Sequence, residues 1–146
     1  MYKYAYFSIS LLLSCCAKMD VMAQVTATSD MLMGKEWVAQ FDVGNVPTQG
    51  CVYTSTKEIT FMIVNGERYE VSADYYLSDS PVRSFNADRV GKNKSGKYIV
   101  VKSRVRDGDN NPWYYRVVYF EILNISSQLL VVRNTQNAFI ITYSCE

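Results

Sequence analysis

Ile59-Thr60-Phe61-Met62-Ile63-Val64-Asn65-Gly66-Glu67-Arg68-Tyr69-Glu70-Val71-Ser72-Ala73-Asp74-Tyr75-Tyr76-Leu77 is the stretch that decides the fold. Before Asn65-Gly66, Ile59, Phe61 and Ile63 alternate with Thr60, Met62 and Val64; after it, Tyr69, Val71, Ala73, Tyr75 and Leu77 alternate with Arg68, Glu70, Ser72 and Asp74. An Asn-Gly pair between alternating runs predicts a hairpin, because both central residues of a type I′ turn need positive φ. The second run has one apolar and one polar face, as a strand with one side in water should.

The same rhythm extends in both directions. Lys35–Asp42 reads as a first strand, stopped by Gly44-Asn45-Val46-Pro47, and a loop through Gly50 leads into Cys51. Downstream, Asp79-Ser80-Pro81 breaks the chain and Val82–Val90 is a weak, short or bulged strand. Asn93–Gly96 turns into Lys97–Val105, and Asp107–Pro112 is the clearest loop. Trp113–Ile122, Gln128–Arg133 and Ala138–Ser144 follow as strands. No long window after the leader keeps a helical stripe. About eight short-linked strands predict an all-β, antiparallel up-and-down barrel, with a β-sandwich as the alternative. Outward Glu, Asp and Arg oppose a lipid-facing barrel.

The N-terminus carries an address. Lys3 precedes the apolar run Tyr4–Ser14, which is too short to span a bilayer at about 1.5 Å per residue and is followed by Cys15-Cys16. Leu12-Leu13-Ser14-Cys15 resembles the lipobox of bacterial lipoproteins, although Leu13 stands where a smaller residue is usual. That resemblance implies lipidation of Cys15. The alternative is cleavage after Val21-Met22-Ala23, leaving Gln24 first. Residues 1–23 are therefore read as a leader, 24–31 as a tether and 32–146 as one domain. Either processing route predicts an extracytoplasmic protein: an outer-membrane lipoprotein, or a soluble periplasmic or secreted one.

Two of the 15 Lys/Arg and one of the 14 Asp/Glu precede Ala23, so the body is electrically balanced. Nucleic-acid binding, which needs a basic excess, is not expected. The chain has no His, which removes the commonest general base and metal ligand. Cys51 and Cys145, remote and in an exported domain, are expected to form a disulfide, the alternative being two buried thiols. Glu67 with Glu70, and Asp107 with Asp109, read as solvated acids. Asp107–Asn111 lacks the spacing of a calcium loop, and Gly91–Gly96 reads as a turn. No enzyme activity, cofactor or metal is expected.

Lys102, Arg104 and Arg106 share one strand face, and Lys92, Lys94 and Lys97 extend the basic character. Tyr114, Arg116, Val118, Phe120 and Ile122 alternate with Trp113, Tyr115, Val117, Tyr119 and Glu121, so both faces of that strand are largely apolar or aromatic. Tyr114, Arg116, Phe120, Lys102, Arg104 and Arg106 are the candidate ligand or partner surface.

Met33-Gly34-Lys35-Glu36-Trp37, Ile59-Thr60-Phe61, Asn65-Gly66 with Tyr69, and the strand rhythm through Tyr143 resemble the small bacterial lipocalin-like domains, over roughly Leu32 to Tyr143. The resemblance implies that Gly34 turns the chain under the barrel and that Trp37 closes its floor against Phe139 or Ile141. Arg133 is the nearest basic candidate to stack on that ring. It also implies a binding module for a small apolar or amphipathic ligand. The alternative is a structural or protein-interaction subunit of the cell envelope, its barrel filled by Phe61, Tyr69, Val71, Val101 and Phe139. Any membrane contact would run only through the N-terminal lipid.

Overall fold

The computed structural model describes residues 25–42 and 44–145; the leader and Cys15 lie outside the described residues. Among the described residues ten strands succeed one another: β1 (Ala27–Thr28), β2 (Glu36–Gln40), β3 (Thr48–Tyr53), β4 (Lys57–Val64), β5 (Glu67–Ser78), β6 (Ser95–Gly96), β7 (Tyr98–Val105), β8 (Tyr114–Ile125), β9 (Leu129–Asn134) and β10 (Ile140–Ser144). One helical turn, α1 (Ser29–Leu32), follows β1, and a 3-10 turn covers Ala87–Arg89. Eight strands close an antiparallel barrel in the order β10-β2-β3-β4-β5-β7-β8-β9. This is the expected up-and-down barrel: each of the eight strands is paired with a neighbour on both sides over at least part of its length.

The Asn65-Gly66 turn is tight, with φ of 53° and 82°, and pairs Val64 with Glu67. It sets the phase of both strands: Met62 opposes Tyr69, Thr60 opposes Val71 and Glu58 opposes Ala73. Tyr75 and Leu77 lie in the core, so Glu58, Thr60 and Met62 share the inward face and Phe61 faces out. Phe61 is therefore no core filler. It opposes Gly50, where any Cβ would meet the ring at 2.5 Å, and the Arg68 guanidinium covers its other side at 3.8 Å. Arg68 is held there by Glu36 at 3.0 Å and Glu70 at 2.6 Å.

The core fills one end of the barrel. Trp37, Cys51, Leu77, Ile99, Val101, Ile122, Leu130 and Val132 are all buried there. Trp37 is fully buried and its indole N–H donates to the Leu32 carbonyl at 2.9 Å. Gly34, at φ 72°, lies between α1 and β2. Trp37 is thus at the floor, and of the two expected neighbours Ile141 packs against the core cluster that holds Trp37 whereas Phe139 does not. Phe139 lies at the opposite end, 69% exposed, and Arg133 pairs with Glu121 at 3.3 Å. The cation over the indole is Lys35, at 5.1 Å.

Three further expectations are corrected. Val25–Met31 is no tether: β1 pairs with β6, Ser29 N–H donates to Lys94 at 2.8 Å, and Ala27 and Leu32 are fully buried. This segment underlies the barrel because Ala27 and Leu32 complete its apolar floor. Val82–Val90 is no strand. It loops over the outer face, where Phe85 stacks on the buried Tyr76 at 5.1 Å, and Asn86 caps the 3-10 turn through the Asp88 N–H. Finally, Cys51 and Cys145 are free thiols, not a disulfide. Cys51 pairs with Trp37, and the β10–β2 register carries Cys145 to the other side of Trp37. Two strand spacings of about 4.8 Å then separate them, beyond the roughly 7 Å that a bridge tolerates. The Cys145 thiol donates to the Ser127 carbonyl at 3.1 Å instead.

Candidate functional site

The barrel interior changes character along its length. At the floor, side chains fill it; towards the mouth the inward positions stay open to water. Met62 is 39% exposed, Tyr69 54% and Val71 60%, although all three share the face that buries Tyr75 and Leu77 lower down. Tyr114 and Arg116 on β8 and Phe139 in the β9–β10 connection complete the rim. These exposed inward residues of the β4–β5 hairpin mark the candidate cup.

Between filled floor and open mouth sits a buried acid. Glu58 is inward on β4, where its Oε1 accepts from the Tyr53 hydroxyl at 2.8 Å. Loss of water pushes the carboxyl up to about 7, against the lowering effect of the Tyr53 hydrogen bond. Tyr75 stacks edge-on to Tyr53 at 5.1 Å and donates to the Thr54 carbonyl at 2.8 Å. Burial and then Glu58 raise its own phenol to about 12. Burial also pushes up the Cys51 thiol and the Tyr143 phenol, so neither ionises near neutrality. Glu58 is the one member of this cluster that exchanges a proton near pH 7. Among the described residues Glu58 makes no salt bridge, and the Tyr53 hydroxyl is its side-chain partner, an arrangement suited to a hydrogen-bonding anchor.

The structure divides the predicted surface in two. Tyr114, Arg116 and Phe120 share the inward face of β8 with Ile122, whereas Lys102 and Arg104 point out from β7. At the rim, Tyr114 donates to Asp107 at 2.6 Å and Arg116 hydrogen-bonds Tyr114. Outside, Lys102 lies over Tyr115 at 4.8 Å, and Arg104 and Arg106 lie on Trp113 at 5.1 and 4.9 Å. The acids of the Asp107–Asn111 loop are engaged by arginines, Asp107 by Arg116 and Asp109 by Arg106. Glu67 accepts from Tyr69 and Glu70 from Arg68.

By sequence alone Glu58, an acid at a strand start, reads as solvated. The turn held the signal: counting back from Asn65-Gly66 puts Glu58 on the same face as Ala73, Tyr75 and Leu77. No protein-family model, curated protein or solved structure matches the chain.

Proposed function

We propose that the chain is an extracytoplasmic, non-catalytic binding module that takes a small apolar or amphipathic molecule into the open half of its barrel. The observation that carries this reading is the exposure of inward apolar residues, Met62 and Val71 above all, over a filled floor. A tail would cover those side chains, and a polar group could reach the Tyr114–Arg116 rim. The lipocalin-like resemblance and the leader, with Cys15 as its lipidation site, support the same reading.

Titration with dodecanoic acid and with dodecanol, followed by displacement of anilinonaphthalene sulfonate, tests it. Saturable binding of either ligand is expected, weakened about tenfold or more by Met62→Asp or Phe139→Asp, which place a charge where the tail would lie. Absence of binding, or binding indifferent to both substitutions, would overturn the reading. A second reading, an envelope protein-interaction subunit, rests on the exposed aromatic and basic ladder of Trp113, Tyr115, Arg104 and Lys102.

A further inference from the structure

The barrel is closed at its floor but its wall splits towards the mouth. β5 has 12 residues, and only Asp74–Ser78 pair with β7. From Glu67 to Ala73 the strand is paired on the β4 side alone. The two-residue turn makes Val64/Glu67 a hydrogen-bonded pair, so odd-numbered residues of β5 bond to β4. Arg68, Glu70 and Ser72 therefore direct their N–H and C=O groups into the split. Such a row is a template for another strand.

The split is a cleft of about 300 Å³. Val71 and Ala73 lie on its barrel side, Lys102, Arg104 and Tyr115 on its outer lip. Among the described residues, Lys102 and Arg104 have no carboxylate partner, whereas Asp74 is taken by Lys57 at 2.6 Å. Both free cations are positioned over aromatic faces, Lys102 on Tyr115 and Arg104 on Trp113.

We propose that this cleft accepts an extended acidic peptide segment as an added strand on the free edge of β5. Successive side chains of a strand alternate between faces, so the recognised pattern is apolar at every second residue and Asp or Glu between. The apolar positions face Val71 and Ala73 inside; the acidic ones meet Lys102 and Arg104 outside. This partner site shares Val71 with the small-molecule cup but otherwise lies beside it, outside Met62 and the Tyr114–Arg116 rim.

The probe is a fluorescein-labelled peptide of alternating Val and Glu, roughly eight residues long, enough to follow the free edge at about 3.3 Å per residue. Its anisotropy is titrated with the full domain. Ser72→Pro removes an N–H on the stretch of β5 that has no ladder partner on β7, so the variant should keep its melting temperature and lose peptide binding. The Lys102→Glu, Arg104→Glu double variant should weaken binding about tenfold or more and reduce its salt dependence. Hydrogen exchange at the Glu70 and Ser72 amides should slow in the complex. Equal binding of a Val-Lys peptide, full binding by Ser72→Pro, or unchanged amide exchange would overturn the proposal. So would a concentration-dependent dimer that Ser72→Pro abolishes, since a second copy would then occupy the edge. Loss of dodecanol binding by Met62→Asp with peptide binding intact separates this site from the cup.

Discussion

Glu58 accepts its 2.8 Å hydrogen bond from Tyr53 inside the barrel, two residues along β3 from a buried thiol, with Tyr143 contributing to the same electrostatic cluster. A lone acid held out of water prefers its proton, which ties the stability of the floor to pH. Its folded pKa, about 7, lies above the ordinary 4.5. The folded state therefore binds more protons than the unfolded one between those values. The stabilisation is complete below about pH 4.5 and lost as pH rises through 7, a swing of about 3 kcal/mol. Glu58→Gln keeps an acceptor for Tyr53 and carries no charge. Its melting temperature should exceed that of the parent at pH 8 and vary less between pH 5 and pH 8; identical pH profiles for the two proteins would contradict this account.

Cys51 and Cys145 should differ in reactivity. Burial raises the Cys51 thiol and shuts it inside the core, while Cys145 is half-buried at the chain end. Iodoacetamide added to native protein should modify Cys145 first and reach Cys51 only on unfolding. Peptide mapping by mass spectrometry reads the order directly. A Cys51–Cys145 disulfide peptide in the purified native protein would refute the register argument.

The two tryptophans make a second contrast. Trp37 is fully buried and satisfies the Leu32 carbonyl, so Trp37→Ala should cost about 3–5 kcal/mol. Trp113 is 52% exposed and clasped by two arginines, contacts whose loss should cost about 1 kcal/mol. Urea unfolding of both variants compares them. Equal small losses would mean that Trp37 does not close the floor.

Gly66 tests the hairpin. At φ 82° a β-branched residue is strained, and Gly66→Val should lower stability by about 1–2 kcal/mol, whereas Gly44→Ala in the β2–β3 connection, with open space around its Cα and φ outside the left-handed region, should change it little. Thermal melts of the two variants give the comparison.

The fold was legible where local chemistry decides it. Asn65-Gly66, the alternation of Tyr69 to Leu77 and the short connections determine the meander, and Trp37 reads correctly as a floor residue. Residues whose role depends on remote partners read less well. Phe61 looks like core until Gly50 and Arg68 supply a pocket on the outside. Val82, Phe85 and Val90 resemble a strand, because apolar residues of a covering loop carry no period. The half-exposed cup could not be read at all: Val71 and Leu77 have the same parity, and only the three-dimensional split between β5 and β7 leaves one wet and the other dry.

The stitching of Val25–Leu32 beneath the floor sets a polarity for the whole molecule. Nine residues separate Cys15 from Val25 in the sequence. With Cys15 acylated as proposed, the chain would emerge from the bilayer and join the barrel at its sealed base. The cup and the split wall would then face away from the lipid surface, into the aqueous space, where they could receive a solute delivered from solution rather than one extracted from the membrane below.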